Sequence, residues 1–130
     1  MKQEKDRKKV RIVYMKYTDR VEKFSIDESF LDVTSSLKFF NMTSFELANK
    51  IREEVKNKIG LTISVGVSFN KSLAKLGSDL KKPDAVSKID YENFYTIIPE
   101  GFFENVFSIF PDYQKNLDAN FQYEFCSAFS

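Results

Sequence analysis

The stretch that decides the fold is residues 61–75, which read LTISVGVSFNKSLAK. Its first part, Leu61 to Phe69, is rich in β-branched residues and is interrupted only by Gly66, a pattern typical of a buried strand. A glycine within a strand permits another element to pack closely against the backbone. Asn70 then provides a helix N-cap. The stretch predicts a buried strand followed directly by a helix that extends to about residue 80, with an apolar side made of Leu73, Leu76 and Leu80.

A second helix is predicted upstream of this strand. Residues 43–46, Thr-Ser-Phe-Glu, have the pattern of a capping box, in which the first and fourth side chains satisfy free backbone amides. Gly60 supplies the residue at which such a helix ends. The sequence therefore predicts a helix over residues 44–59, and its apolar face is traced by Phe45, Ala48, Ile51, Val55 and Ile59.

Two strands joined by a turn are predicted before that helix. The segments Val21 to Ile26 and Ser29 to Val33 both alternate apolar and polar residues, which is the period of a strand with one buried face. Asp27-Glu28 lies between them, where a tight hairpin turn is expected. The remaining predicted elements are a helix ending near Thr18, a short strand over residues 85–89, and helices over residues 91–98 and 103–110.

The order of these elements favours the α+β class. Strands and helices follow one another as strand, strand, helix, strand, helix, strand. We expect a mainly antiparallel sheet with the helices packed on one face, similar to the ferredoxin-like (split βαβ) arrangement.

The composition limits the chemistry. The chain of 130 residues is long enough for one domain with a modest core. It contains no histidine, which excludes His-dependent nucleophilic catalysis and the usual zinc sites. Carboxylates, lysines, hydroxyls and oxygen-bound metals remain, and this set points to Mg²⁺. A single cysteine, Cys126, forms no intrachain disulfide, and neither a membrane span nor a secretory signal is evident, so we expect a cytoplasmic protein.

Charge and aromatic content change near Pro99. Residues 1–99 carry an excess of basic side chains, which is compatible with a polyanionic partner. Residues 100–130 are acidic, contain Lys115 as their one basic residue, and are rich in phenylalanine. The shift indicates a boundary between two units of the chain.

Two groups of charged residues are candidates for chemistry. Asp27 and Glu28 are adjacent carboxylates at a strand end, and two-metal transfer of phosphoryl or nucleotidyl groups needs several carboxylate oxygens close together. Taken alone, such a pair is more often a solvated turn. Lys71, Lys75 and Lys82 follow Asn70 along the predicted helix and beyond it, and lysines bind phosphate as point charges. Taken alone, they are more often a basic solvated face.

Together, these segments closely resemble the palm domain of Y-family (translesion) DNA polymerases, the DNA polymerase IV and UmuC-like group. The resemblance extends over about residues 14–98 and rests on several linked motifs in the same order. These motifs are Tyr17-Thr18-Asp19-Arg20-Val21-Glu22, Ser25-Ile26-Asp27-Glu28-Ser29-Phe30-Leu31-Asp32-Val33-Thr34, residues 61–75, and Ser78-Asp79 with Lys82-Pro83-Asp84.

The resemblance implies roles for the candidate residues. Asp27 would ligate the catalytic Mg²⁺ ions, and Glu28 would be a ligand of the metal ion at the primer 3′-hydroxyl. Lys82 would contact the triphosphate of the incoming deoxynucleoside triphosphate. Lys71 and Lys75 belong to a helix beneath the site, which we expect to be mainly structural, with contacts to phosphate or primer-template DNA.

The resemblance also predicts what the chain lacks. In the family, a first strand with another metal-binding aspartate and a fingers region precede these motifs, and a thumb and a little finger follow them. We therefore expect residues 14–98 to be a partial palm, residues 1–13 a basic segment, residues 99–130 a divergent Phe-rich acidic tail, and the chain alone to be inactive. Two alternatives stay open: a non-catalytic module that binds a protein partner through the tail, and another two-metal enzyme such as a nucleotide cyclase.

Overall fold

The computed structural model describes residues 2–90, 93, 96 and 124–129. Its elements are α1 (Lys2–Tyr17), β1 (Val21–Lys23), β2 (Glu28–Asp32), α2 (Thr34–Phe40), α3 (Ser44–Ile59), β3 (Ile63–Ser68), α4 (Lys71–Leu80), β4 (Val86–Lys88) and β5 (Glu124–Phe129). The sequence predicted all of these except α2 and β5. The helices predicted over residues 91–98 and 103–110 lie outside the described residues, apart from Asn93 and Thr96. No helix among the described residues is long and apolar enough to cross a membrane.

The described strands form one sheet in the order β1-β2-β5-β3-β4. All neighbouring pairs are antiparallel except β3 and β4, which are parallel. Since β5 is antiparallel to both β2 and β3, those two strands run in the same direction with one strand between them. This is a split βαβ unit, so the predicted α+β class and the mainly antiparallel sheet are confirmed. The strand that fills the gap, β5, comes from the Phe-rich segment that the sequence had placed beyond the palm.

The prediction that the helices share one face of the sheet is wrong. Successive side chains of a strand point to opposite faces. Cys126 packs with Ala74 of α4, whereas the hydroxyl of the next residue, Ser127, is hydrogen-bonded to the hydroxyl of Tyr14 in α1. The helix α4 therefore covers one face, and α1 and α3 cover the other. The sequence did not reveal this because every residue of β3 is buried, so its pattern does not distinguish one covered face from two.

Gly66 lets α4 lie directly on β3. A Cβ atom added at Gly66 would stand 1.8 Å from the carbonyl oxygen of Ala74 and 2.4 Å from the amide nitrogen of Ser78. Both neighbours are backbone atoms of α4, so no side-chain movement would relieve the clash. The predicted role of Gly66 in close packing is confirmed.

The larger core lies between the sheet and the helices α1 and α3. The helix α3 begins with the predicted capping box of Thr43 and Glu46 and ends at Gly60, which has a φ of 79°. Phe45 is 47% exposed, so its predicted place on the apolar face is wrong. Leu47, which is fully buried, takes that place because it lies nearer the centre of the stripe on the helical wheel. The buried residues of this core that come from α3 and the strands are Leu31, Leu47, Ala48, Ile51, Val55, Ile63, Val65, Val67 and Phe125.

The apolar side predicted for the helix after Asn70 is correct only in part. Asn70 caps α4, because its side-chain oxygen accepts a hydrogen bond from the amide of Leu73 at 2.9 Å. Leu73 is fully buried, but Leu80, the last residue of α4, is 41% exposed. The helix thus has buried residues as far along as Ser78, and its last residue lies at the surface.

Candidate functional site

The β1–β2 hairpin places the two adjacent carboxylates at its tip. The amides of Phe24 and Ser25 donate to the carbonyl oxygen of Glu28 at 3.0 and 3.2 Å, which closes the turn. Asp27 is the last residue of the turn, and Glu28 is the first residue of β2. The predicted hairpin is confirmed, although β1 ends at Lys23, before the end of the predicted strand.

Asp27 is directed towards α1. The Nε atom of Arg7 donates to the Asp27 carboxylate at 3.1 Å, and the Asp27 side chain is 55% exposed. The same small cavity is lined by Tyr14 and Ser29, which mark the face covered by α1. Asp27 therefore has a cationic partner on that face, and Arg7 is a residue that nothing in the sequence pattern had singled out.

Glu28 is directed towards α4, on the other face. The ammonium group of Lys75 donates to the Glu28 carboxylate at 2.7 Å, and both side chains are partly buried. Burial lowers the pKa of Lys75, but the hydrogen bond and the charge of Glu28 outweigh it, so the pKa is raised above its usual value. The Lys75 ammonium also lies over the ring of Phe24, at 5.4 Å from its centroid. The ion pair with Lys75 thus orients the Glu28 side chain towards α4.

The two other candidate lysines bind different carboxylates. Lys71 forms an ion pair with Glu22 of β1 and lies 5.7 Å from the centroid of the Phe30 ring. Lys82 lies 2.8 Å from the carboxylate of Asp79 in α4. The structure therefore brings Lys75 to one member of the acidic pair, Glu28, while Lys71 and Lys82 have partners of their own.

Asp84 anchors the loop that carries Lys82. Its carboxylate accepts hydrogen bonds from Lys56 at 2.7 Å and from Arg52 at 2.8 Å, both in α3. The hydrogen bonds from Lys56 and Arg52 hold the pKa of Asp84 below its usual value. Asp84 itself has a φ of 53°, in the left-handed region. The sequence contained Asp84 within the Lys-Pro-Asp motif, but its partners are about 30 positions away, so local patterning did not predict this anchor.

Comparison with known proteins decides the ancestry of this arrangement. The model of the impB/mucB/samB family matches residues 2–79 of the chain. The chain belongs to this family. Its relatives are Y-family DNA polymerases, and the part that matches is their palm, so the predicted palm fragment is confirmed.

Two curated relatives illustrate the match. DNA polymerase IV of Acetivibrio thermocellus is 53% identical over 87 residues, which are 67% of this chain and 22% of the relative. DNA polymerase IV of Clostridioides difficile is 40% identical over 119 residues, which are 89% of this chain and 32% of the relative. The second match is long enough to continue past Pro99. The chain spans only about a fifth to a third of the length of these relatives.

Two solved structures share the fold. A Y-family DNA polymerase chimera of Dbh and Dpo4 matches with a TM-score of 0.64 and 36% identity, over 70% of this chain and 26% of that chain. DinB from Sulfolobus solfataricus matches with a TM-score of 0.63 and 30% identity, over 82% of this chain and 35% of that chain. Both matches cover the palm part of a larger polymerase.

The acidic pair of this family member does not fit a shared metal ion as it stands. Y-family polymerases are generally dependent on divalent metal ions. The described residues contain no group of three or more acidic, cysteine or histidine side chains that could hold such an ion. Asp27 and Glu28 lie on opposite faces of the sheet, and each is neutralised by a basic side chain. A divalent ion would have to replace Arg7 and Lys75 before both carboxylates could bind it.

Proposed function

We propose that this chain supplies the palm of a translesion DNA polymerase, which transfers nucleotides to a primer 3′-hydroxyl on a DNA template. The observation that carries the proposal is the hairpin tip, where Asp27 is paired with Arg7 of α1 and Glu28 with Lys75 of α4, in a chain that belongs to a polymerase family. Primer-template DNA and deoxynucleoside triphosphates are the proposed substrates, Mg²⁺ is the proposed cofactor, and DNA damage tolerance in the cytoplasm is the proposed setting.

The proposed roles differ among the candidate residues. Asp27 and Glu28 are the proposed metal ligands once they are freed from Arg7 and Lys75. Lys82 is proposed to contact the triphosphate, because it is 45% exposed and its loop is fixed by Asp84. Lys75 is proposed to position Glu28, since its ammonium is already committed to that carboxylate. Lys71, at the start of α4, is proposed to contact a DNA phosphate on the face of the sheet that α4 covers.

We propose further that the polypeptide of 130 residues does not extend primers by itself. Its two carboxylates are held apart by ion pairs with Arg7 and Lys75. Two neighbouring divalent ions need several carboxylate oxygens to neutralise them, and the described residues place no third carboxylate beside this pair. Its affinity for DNA is expected to be weak and to fall with salt, because few phosphate contacts are available.

Primer extension on undamaged and abasic templates tests both parts of the proposal. The purified chain should give no extension with Mg²⁺ and all four nucleotides. A chimera in which residues 2–79 replace the matching part of the Clostridioides difficile polymerase should extend the primer. In that chimera, Asp27→Asn with Glu28→Gln should abolish extension, whereas Glu53→Gln, at an exposed position of α3, should leave it unchanged.

The two possible failures are distinguishable. Template-dependent extension by the chain alone, lost in the double variant, would show that the isolated site is complete. A correctly folded chimera without activity would instead contradict the proposed palm function of these residues.

A further inference from the structure

The central strand of the sheet comes from the C-terminal end of the described chain. On one edge β5 pairs with Glu28–Asp32, and on the other edge it pairs with Ile63–Ser68. The strands β2 and β3 run in the same direction and are joined by α2 and α3, not by β5. The rest of the fold therefore forms a slot one strand wide, and the strand that fills it begins 96 positions after the start of β2 and 61 positions after the start of β3.

Elements that precede residue 81 hold β5 in this slot. Phe125 is buried in the larger core, Cys126 packs with Phe30 and Ala74, and Ser127 is hydrogen-bonded to Tyr14. Phe125, Cys126 and Ser127 are each less than 4% exposed. The contacts depend on the slot and on the sequence of β5, and they would be the same if β5 came from another copy of the chain.

The chain between β4 and β5 is long enough for such an exchange. Asp90 and Glu124 are 34 positions apart in the sequence. A chain extends at most about 3.3–3.6 Å per residue, so this separation permits a span of about 110 Å. A domain of this size has a radius of gyration of about 14 Å. Chain length therefore permits β5 to enter the slot of a neighbouring molecule.

We propose that β5 is an exchangeable strand, and that two copies of this chain form a dimer in which the β5 of each copy fills the slot of the other. A second copy is favoured over a foreign strand by the walls of the slot. Cys126 lies in register with Gly66, where the backbone of α4 approaches closely, so a bulky residue is excluded there. Ser127 supplies the hydroxyl that Tyr14 needs. A reciprocal exchange is also closed, so neither slot is left empty.

The exchange depends on concentration. A strand tethered to its own slot has an effective concentration on the order of mM. Copies that refold together at about 1 mM therefore have comparable access to their own slot and to a neighbouring one, whereas dilute chains close on themselves. The strand exchange does not require polymerase activity. Its test can therefore fail or succeed independently of the proposed function.

A disulfide between two different chains tests the exchange. Ser29 and Ser127 are register partners on β2 and β5, and cross-strand partners in an antiparallel pair have a Cα separation compatible with a disulfide. One chain carries Ser29→Cys and the other Ser127→Cys, both with Cys126→Ala. The two are unfolded, refolded together at about 1 mM and oxidised. We expect a disulfide-linked heterodimer on a non-reducing gel, with a yield that rises with concentration.

The controls determine what a negative result means. A single chain with Ser29→Cys, Ser127→Cys and Cys126→Ala should form its own disulfide in dilute solution. If it does so and the mixed chains give no disulfide-linked heterodimer, the exchange is overturned. In a control mixture, the Ser29→Cys chain is replaced by a chain with Ser25→Cys, whose cysteine lies at an exposed position of the turn. The heterodimer formed in this mixture measures random cross-linking. If Ser29→Cys prevents folding, Val65→Cys provides the same test from the other edge, because Val65 is also in register with Ser127.

Discussion

At the scale of single residues, Gly66 and Gly60 need to be glycine for different reasons. An alanine methyl group at position 66 would overlap the backbone of α4, at 1.8 Å from the Ala74 carbonyl oxygen. Position 60 has open space around it, but its φ of 79° disfavours other residues. We expect Gly66→Ala to lower the free energy of unfolding by about 3 kcal/mol or more, and Gly60→Ala by about 1 kcal/mol. Urea unfolding monitored by circular dichroism measures both, and a larger loss at position 60 would contradict the packing of α4 on β3.

The acidic pair gives a second prediction at this scale. Because Arg7 and Lys75 neutralise Asp27 and Glu28, an added cation competes with them. The unchanged chain should therefore bind Mg²⁺ weakly, and Arg7→Met with Lys75→Met should raise the affinity by up to about fivefold, the range of partly exposed ion pairs. Calorimetric titration measures this change, and Lys71→Met, which frees Glu22 instead, is the matched control. Tight binding by the unchanged chain, lost in Asp27→Ala, would show that a complete site exists.

The sequence singled out two candidate carboxylates, but it did not predict where their side chains point. Asp27 and Glu28 are adjacent in a motif that is recognisable without any structure. Neighbouring residues at the start of a strand point to opposite faces, so adjacency in sequence does not mean that two side chains converge. Their partners, Arg7 and Lys75, are 20 and 47 positions away. Such contacts depend on tertiary structure and leave no local pattern.

At the scale of elements, α1 and α3 are joined by a partly buried carboxylate. Glu54 accepts hydrogen bonds from Lys16 at 2.8 Å and from the Tyr17 hydroxyl at 2.5 Å. Burial raises the pKa of Glu54, but these hydrogen bonds and the lysine charges outweigh it, so the pKa lies below its usual value of 4.5. A carboxylate with a lowered folded-state pKa stabilises the fold above its unfolded-state pKa, and this contribution is lost as the pH falls through the folded-state pKa.

A pH series tests this link between the helices. Glu54→Gln should be less stable than the unchanged chain at pH 7, and the difference should shrink as the pH falls below about 4.5 towards pH 3. Glu53→Gln, whose carboxylate is 64% exposed, should change stability little at either pH. Urea unfolding at the two pH values measures both differences. A difference for Glu54→Gln that is the same at pH 3 and pH 7 would contradict the ion pair.

The link between α1 and β5 gives a prediction that tests the place of β5 directly. Tyr14 and Ser127 are both buried and share a hydrogen bond across 113 positions of the sequence. Tyr14→Phe and Ser127→Ala should each lower the free energy of unfolding by about 1–2 kcal/mol, because each leaves a buried hydroxyl without its partner. The double variant should lose less than the sum of the two. Additive losses would mean that the two residues do not touch.

Elements with local signals were predicted, and elements defined by distant pairing were not. The ends of α3 follow from Thr43, Glu46 and Gly60, which lie within 18 positions of one another. The residues of β5 pair with positions near 30 and near 65 instead. A short apolar run in a Phe-rich segment gives no indication of such partners, so the sequence predicted a divergent tail where the structure has a central strand.

At the scale of the whole molecule, β5 connects the two halves of the sheet. The hairpin of β1 and β2 and the parallel pair of β3 and β4 share no ladder with each other. The strand β5 joins them, because it pairs with β2 on one side and with β3 on the other. The fold is therefore continuous only when the slot is filled, whichever copy of the chain supplies the strand.

Removal of residues 121–130 should consequently abolish cooperative folding. Both β2 and β3 would present an unpaired edge, and exposed edges of this kind pair with other chains. We expect the shortened chain to lose its sharp urea transition and to aggregate, as measured by circular dichroism and light scattering. A synthetic peptide of residues 121–130 should restore the transition, whereas the same peptide with Cys126→Trp should not, because α4 leaves no room opposite Gly66. Removal of residues 1–4 is the control, and a shortened chain that unfolds at the same urea concentration as the full one would show that β5 is not the centre of the sheet.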